Sequence, residues 1–101
     1  MTTQKPEWVY ILQCSDGSFY TGKTVNLTKR LYEHDNGLFD NYTASRRPVV
    51  LKFQQEFPSA REAFRAERQI KGWTRAKKIA LIKGDFELLK RLAAPRNPKY
   101  R

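Results

Sequence analysis

Residues 15–24 read SDGSFYTGKT, which is a turn signal followed by a strand-forming run. Asp16-Gly17 is a typical tight-turn pair, and the strand-forming run WVYIL, residues 8–12, precedes it. Two such runs joined by a glycine-containing turn predict a β-hairpin. Gly22 is unexpected in the second run, because a glycine packs nothing there and costs backbone entropy. Some group must therefore approach the backbone closely at position 22.

The register of this hairpin decides where its two tyrosines point. With a two-residue turn, Tyr10 and Tyr20 would project from opposite faces, because side chains alternate along a strand. A three-residue loop with Gly17 in the left-handed conformation shifts the pairing by one residue. Tyr10 would then lie opposite Gly22, and both tyrosines would share one face. The sequence alone leaves both registers open.

The rest of the chain is predicted to form helices and one further strand. Ser59 and Glu62 form a capping box, which marks the start of the second helix. The predicted elements are, in order, a helix capped by Asn26 and including His34, a loop at 35–47, a strand at 49–53, and helices at 59–72, 74–83 and 86–94.

This order favours an α/β (α+β) fold, in which a small three-stranded antiparallel sheet is flanked by helices. The length of 101 residues suits one domain with a single modest core. We expect that domain to span residues 1–83. A C-terminal helix at 84–94 should pack on it, and a flexible basic tail should follow at 95–101.

Positive charge is concentrated in one half of the chain. Residues 1–58 carry seven Lys/Arg against six Asp/Glu, a balance of +1, while residues 59–101 carry thirteen against four, a balance of +9. A cationic half joined to a near-neutral half is typical of a docking surface for a polyanion. We interpret the polyanion as nucleic acid, with an anionic membrane surface or simple solubilisation as the alternatives.

The remaining composition narrows the class of protein. The sequence contains no apolar run of the roughly 20 residues that cross a bilayer, and its first residues lack the apolar segment of a secretory signal. One cysteine excludes an internal disulfide and fits a cytoplasmic location. One cysteine and one histidine also make a zinc site unfavourable.

Several of these residues together resemble a known family. VYI at 9–11 and YTG at 20–22 have tyrosines ten residues apart, and Arg30, His34 and Glu67 follow in order. This set resembles the signature of GIY-YIG nucleases, in their small single-domain bacterial branch, over about residues 8–83. The sequence departs from the pattern in three places, since Trp8, Val9 and Thr21 stand where the signature has glycine, isoleucine and isoleucine.

The resemblance implies hydrolysis of DNA phosphodiester bonds by five catalytic residues, namely Tyr10, Tyr20, Arg30, His34 and Glu67. Arg30 would bind the phosphate, and one tyrosine would deprotonate or orient the attacking water, with possible help from His34. We favour Tyr20 for the water, because Lys23 follows it in the same segment. Gly22 would let phosphate and metal approach the strand.

Glu67 is also singled out by its position. It falls within an apolar helical stripe formed by Ala60, Ala63, Phe64 and Ile70. Burying an unpaired carboxylate is costly, so it needs a metal or a cation as a partner. Coordination of Mg²⁺ (or Mn²⁺) is one interpretation, and a salt bridge to Lys71 four residues later is the other.

The basic side chains between residues 61 and 83, which we call the basic track, should contact the DNA backbone rather than its bases. Sequence specificity should therefore be weak. Branched, nicked and single-stranded DNA all stay open as substrates, and no membrane is involved. The competing interpretation is a non-catalytic basic module that binds DNA or RNA through the same fold. The predicted DNA-binding side chains are Lys23, Arg46, Arg47, Arg68, Lys71, Arg75, Lys77 and Lys78.

Overall fold

The hairpin adopts the three-residue loop. In the computed structural model, which describes residues 5–93, strand β1 (Glu7–Gln13) pairs antiparallel with strand β2 (Phe19–Thr24). Tyr10 lies opposite Gly22. Gly17 has a φ of 87°, a left-handed conformation that glycine adopts without steric cost. Tyr10 and Tyr20 therefore lie on the same face of the sheet.

A third strand completes the sheet on the other side of β1. Strand β3 (Val50–Phe57) pairs antiparallel with β1, which gives the order β2-β1-β3. β3 begins close to the predicted start at residue 49 but runs four residues beyond the predicted end. The central position of β1 explains why residues 9–12 are fully buried on both faces. The predicted fold class, a small antiparallel sheet flanked by helices, is confirmed.

Five helices surround the sheet within residues 5–93. They are α1 (Leu27–Asp35), α2 (Asn41–Ala44), α3 (Ala60–Lys71), α4 (Arg75–Lys83) and α5 (Phe86–Ala93). Asn26 caps α1 and Ser59 caps α3, as the sequence predicts, and the Ser59 hydroxyl accepts from the Glu62 amide at 3.3 Å. None of these helices is long and apolar enough to span a membrane.

One part of the predicted layout differs from the structure, and another lies outside the described residues. The predicted loop at 35–47 contains the short helix α2, because the Asp40 carboxylate caps it by accepting from the Tyr42 amide at 2.8 Å. The predicted tail at 95–101 and the last residue of the 86–94 helix lie outside the described residues. The separation of 1–83 from 84–94 stays a prediction.

The two faces of the sheet are covered differently. On one face, Val9 and Ile11 pack against Ala63 and Ile70 of α3 in an apolar core. On the other face, Tyr10 meets α1 and α2 through polar side chains, and His34 and Thr43 are fully buried there. The apolar face stabilises the fold by excluding water, whereas the polar face holds titratable groups in the interior.

The face of α3 that meets the sheet was predicted wrongly in part. Ala63 and Ile70 are buried and Ala66 packs against the core, but Ala60 and Phe64 are exposed, Phe64 to 47%. Small alanines at 63 and 66 share one helical face and allow the helix to approach the sheet closely, which turns the larger ring outward.

Candidate active site

A chain of hydrogen bonds runs through the polar face of the sheet. The Tyr10 hydroxyl lies 2.8 Å from Nε2 of His34, and Nδ1 of the same ring lies 2.8 Å from the Thr43 hydroxyl. Thr43 donates in turn to the Asp40 carbonyl oxygen at 3.2 Å. β1, α1 and α2 each supply one side chain to this chain of contacts.

The last bond of the chain fixes the direction of the others. Because Thr43 uses its only proton on a carbonyl, its oxygen accepts the Nδ1 proton of His34. Nε2 of the neutral ring is then an acceptor, and the Tyr10 hydroxyl donates to it. Burial lowers the pKa of His34, and the Arg30 charge lowers it further against the opposing effect of nearby carboxylates. The ring is therefore neutral at pH 7 and accepts the Tyr10 hydrogen bond.

Gly22 is explained by Tyr10 itself. A Cβ atom at position 22 would lie 2.6 Å from the Tyr10 hydroxyl oxygen and 2.7 Å from its Cζ. The group that comes close to this backbone is thus the phenol of the opposite strand. The sequence-based expectation that phosphate and metal occupy this space is wrong, since the buried Tyr10 ring fills it.

Tyr20 lies beside this cluster and has a partner that the sequence analysis missed. Its ring centroid is 6.4 Å from that of Tyr10 and 5.2 Å from that of His34. Its hydroxyl donates to the Asp40 carboxylate at 3.2 Å. Burial raises the pKa of Tyr20, and the charges of Tyr10 and Asp40 raise it further. Tyr20 is consequently held in its protonated form as a hydrogen-bond donor.

Asp40 connects the two tyrosines. Its carboxylate caps α2 and accepts from Tyr20, while its carbonyl oxygen ends the chain from Tyr10. The sequence does carry a signal for this role, because aspartate is one of the residues favoured at a helix N-cap. That signal predicts a cap but cannot predict the contact with Tyr20, twenty residues away.

Arg30 is held over the same cluster by three contacts. Nε pairs with Glu33 at 3.2 Å, a terminal nitrogen donates to the Lys23 carbonyl at 3.3 Å, and the guanidinium lies 3.7 Å from the Phe39 ring centroid. Burial raises the pKa of Tyr10, and the Arg30 guanidinium opposes that shift. Arg30 therefore supplies a fixed positive charge next to the phenol.

Glu67 occupies the rim of the buried face of α3. Its side chain is only 13% exposed, and Oε2 pairs with Lys71 at 3.3 Å. The salt bridge that the sequence offered as an alternative is thus present. The Glu67 charge also raises the pKa of Tyr10, so the carboxylate lies within electrostatic reach of the phenol.

The donor set near Glu67 suits one kind of metal site. Among residues 5–93, no three His, Cys, Asp or Glu side chains form a cluster that could cage a metal ion. A single, largely buried carboxylate fits a hard cation such as Mg²⁺, which keeps most of its waters and shares phosphate oxygens. Lys71 is 55% exposed and can move away from Glu67.

Besides Lys71, which pairs with Glu67, four of the predicted DNA-binding cations have partners within the protein. Lys23 pairs with Glu7 at 3.2 Å and Arg46 pairs with Asp16 at 3.0 Å. Arg47 donates to the Ala44 carbonyl at 3.0 Å, and Arg75 donates to the Gly17 carbonyl at 2.8 Å. These contacts join strands, loops and α4, and they reduce the charge available to a ligand.

The other predicted cations lie along α3 and α4. Arg68 is exposed, and its guanidinium lies 5.5 Å from the Phe64 ring centroid. Lys77 and Lys78 are half-buried on α4 and form no ion pair among the described residues. Together with Lys71, these side chains form the part of the basic track that is open to a ligand.

Comparison with known proteins identifies the family. The model of the GIY-YIG catalytic domain matches residues 6–80. A UPF0213 protein of Syntrophus aciditrophicus is 49% identical over 81 residues, which cover 79% of this chain and 93% of that protein.

Two solution NMR structures are similar as well. The protein EF2693 from E. faecalis has a TM-score of 0.58 at 40% identity, covering 87% of this chain and 93% of its own. The UPF0213 protein BH0048 from Bacillus halodurans has a TM-score of 0.53 at 38% identity, covering 89% and 99%. On these findings, the chain belongs to the GIY-YIG family, a family of nucleases.

Proposed function

We propose that this protein is a metal-dependent endonuclease that hydrolyses DNA phosphodiester bonds with little sequence specificity. The observation that carries the proposal is the buried chain from Tyr10 through His34 to Thr43, with Arg30 fixed beside it. This chain fixes the face of the sheet on which the Tyr20 hydroxyl and the Arg30 guanidinium lie within electrostatic reach of each other. Phosphodiester hydrolysis can use such a pair, because water must lose a proton while charge develops on the phosphate.

The proton path follows from the direction of the hydrogen bonds. Tyr10 is fully buried, so we assign the attacking water to the half-buried Tyr20 hydroxyl. As water attacks phosphorus, the Tyr20 oxygen accepts the water proton while its own proton passes to the Asp40 carboxylate. The phenol thus never has to ionise fully, which matters because burial raises its pKa. The buried chain from Tyr10 through His34 to Thr43 holds the His34 ring against Tyr20.

The neighbouring groups have complementary roles. Arg30 stabilises the charge that develops on the phosphate oxygens. Tyr10 has a positioning role, because its ring is fully buried and its hydroxyl is bound to His34. This division keeps the sequence-based preference for Tyr20 as the residue that orients the water.

Glu67 is the residue that would hold Mg²⁺ (or Mn²⁺). When bound, such an ion supplies positive charge that neutralises the phosphate and the leaving oxygen. Lys71 would release Glu67 in that state and become available to the DNA backbone. A cytoplasmic location, which the single cysteine favours, belongs to the same proposal.

Weak sequence specificity follows from the kinds of side chain on the open track. Lysine ammonium groups are point charges that contact phosphates and do not discriminate between bases. The second candidate function, a non-catalytic DNA- or RNA-binding module, is favoured by the same track and by the Lys71–Glu67 salt bridge, which is complete without any metal.

A cleavage assay with two matched variants distinguishes these functions. Plasmid and branched DNA are incubated, in Mg²⁺ or in Mn²⁺, with the wild type, Glu67→Gln or Glu62→Gln. Glu62 is an exposed carboxylate at the other end of α3, and glutamine preserves its capping box. We expect Glu67→Gln to lower cleavage at least 100-fold without lowering the melting temperature, and Glu62→Gln to cleave like the wild type.

Two outcomes would contradict the proposal. If the wild type cut no substrate with either metal yet bound DNA, the binding module would be the correct function. If Glu67→Gln melted at a lower temperature but cut normally per folded molecule, Glu67 would be a structural partner of Lys71 and not a metal ligand.

A further inference from the structure

A cavity opens beside the cluster formed by Tyr10, Tyr20, His34 and Arg30, which we call the catalytic cluster. It has a volume of about 410 Å³ and lies between β2, α2, α3 and α4. Its lining combines the aromatic side chains Phe19, Tyr20 and Tyr42 with Lys71, Lys78 and the Asp40 carboxylate, which accepts from Tyr20. The volume falls within the range of small-ligand sites.

The cavity is physically continuous with the proposed active site. Tyr20 belongs to both, since its ring packs against His34 and also lines the cavity. Lys71 lines the cavity while its ammonium pairs with Glu67. A group bound in the cavity would therefore be a direct neighbour of a phosphate at the catalytic cluster.

The aromatic side chains are held in place and remain partly open. The Arg46 guanidinium lies 3.8 Å from the Tyr42 ring centroid, and the Tyr20 ring is inclined to that of Tyr42 by only 28°. Tyr42 nevertheless keeps 38% of its surface exposed. Phe19 is fixed in a similar way by the guanidinium of Arg75, at 4.6 Å. Rigid aromatic surfaces of this kind are the platforms on which unpaired bases stack.

The polar part of the cavity calls for an anion and a hydrogen-bonding partner. Lys78 is half-buried, and burial lowers the pKa of its ammonium, so a nearby phosphate would offset the cost of its charge. Thr21, another lining residue, is 3% exposed, and its hydroxyl oxygen has no hydrogen-bond partner among the described residues. A buried hydroxyl without a partner is destabilising, and a bound ligand or water can supply one.

We propose that this cavity binds one unpaired nucleotide of a DNA strand, its base against the aromatic side chains and its phosphate on Lys71 and Lys78. The proposal rests on the proposed nuclease function and names its substrate class. A base inside an intact duplex is stacked and paired, so entering the cavity would cost the energy of unstacking. Strands that are already unpaired, such as flaps and single-stranded branches of junctions, enter without that cost.

The test measures binding in EDTA, where metal-dependent cleavage cannot occur. A single-stranded DNA oligonucleotide and a blunt duplex of equal length are titrated with the wild type, Tyr42→Leu, Lys78→Met and Lys77→Met. Lys77 is the matched control, because it is a half-buried lysine on the same helix that does not line the cavity. A 2-aminopurine base in the oligonucleotide reports stacking through its fluorescence.

We expect the wild type to prefer the single strand and to change the 2-aminopurine fluorescence on binding. Tyr42→Leu should weaken single-strand binding about tenfold and leave duplex binding nearly unchanged, in keeping with the usual contribution of one stacked base. Lys78→Met, which also removes a charge from the basic track, should weaken single-strand binding more than duplex binding. Lys77→Met should weaken both DNA forms alike. Melting curves confirm that each variant is folded, and the fluorescence of the wild type tests the proposal without any substitution.

Three results would overturn the proposal. These are equal affinity of the wild type for single strand and duplex, unchanged 2-aminopurine fluorescence on binding, or variants that weaken both forms equally. Tighter binding of an RNA oligonucleotide of the same sequence would overturn the assignment to DNA. Because cleavage plays no part, single-strand preference without cleavage would count against the nuclease function alone, and cleavage without preference would count against the cavity alone.

Discussion

Adding one methyl group at Gly22 should disrupt the active site from within the sheet. In Gly22→Ala, the new Cβ would lie 2.6 Å from the Tyr10 hydroxyl oxygen and 2.7 Å from its Cζ, well inside contact distance. Tyr10 is fully buried and bound to His34, so its ring cannot move aside freely. The overlap must displace the phenol and break its hydrogen bond.

The size of the effect follows from these contacts. Overpacking a buried site costs about 1–3 kcal/mol, and losing the hydrogen bond to His34 adds about 1 kcal/mol. Replacing glycine by alanine in a strand returns roughly 0.5–1 kcal/mol. We expect a net loss of about 2 kcal/mol in the free energy of unfolding, which lowers the melting temperature by roughly 10 °C in a domain of this size. Cleavage per folded molecule should fall further, because Tyr10 no longer reaches Nε2.

Urea unfolding followed by tryptophan fluorescence measures the stability, and two comparisons isolate the cause. Gly72→Ala is the matched control, because a Cβ there meets only carbonyl oxygens at 3.7 and 3.8 Å and the backbone is helical. It should change stability by less than about 0.5 kcal/mol. In a Tyr10→Leu background, Gly22→Ala should cost almost nothing, because the ring is gone. If Gly22→Ala cost as much with leucine at position 10 as with tyrosine, the reasoning about this contact would be refuted.

Three further predictions concern the charges of the site. Burial lowers the pKa of His34 below its usual value of about 6.5, so the neutral ring stabilises the fold fully above pH 6.5. As the pH falls below 6.5, the free energy of unfolding should decline by up to about 1.4 kcal/mol per pH unit. Urea titrations from pH 7 to 5 should show this slope in the wild type and a flatter one in His34→Gln, and equal slopes would contradict the prediction. Arg30→Lys should keep most DNA affinity and lose at least tenfold in cleavage rate, because an ammonium cannot bind two phosphate oxygens at once. Titration measures the affinity and single-turnover kinetics the cleavage rate. A proportional loss of affinity and rate would make Arg30 a docking residue. Lys77→Gln should reduce the slope of log affinity against log salt on duplex DNA by about 0.9, and an unchanged slope would remove Lys77 from the track.

The strand and helix limits were largely predictable because their signals are local. Asn26 and Ser59 cap helices through contacts three residues away, so the side chain that stabilises each start is visible in the sequence. The hairpin register was not decided by composition, because Asp16-Gly17 is compatible with two loop lengths. The left-handed conformation of Gly17 selects the longer loop.

The interior of the site was less predictable, because its side chains contact residues that are distant in the sequence. Thr43 looks like an ordinary loop residue until α2 forms and brings its hydroxyl to His34. Phe64 was placed against the sheet because helical spacing defines a stripe but not its width, and two alanines determine which edge of that stripe is buried. Gly22 looked like an opening for a ligand because the sequence gives no distance to Tyr10 on the opposite strand.

The polar chain from Tyr10 to Thr43 also limits how this protein can be engineered. Tyr10, His34 and Thr43 are among its largest fully buried side chains, so much of the interior on that face consists of functional groups. Replacing one of these side chains by a hydrophobic residue would leave its buried partners without hydrogen bonds, and replacing all of them would remove the network that positions the site. Thermostabilised versions must therefore be sought on the opposite face, where the apolar core around Val9 and Ile11 takes no part in the proposed chemistry. In this small domain, thermal stability can be raised without affecting cleavage only by substitutions on the apolar side of the sheet.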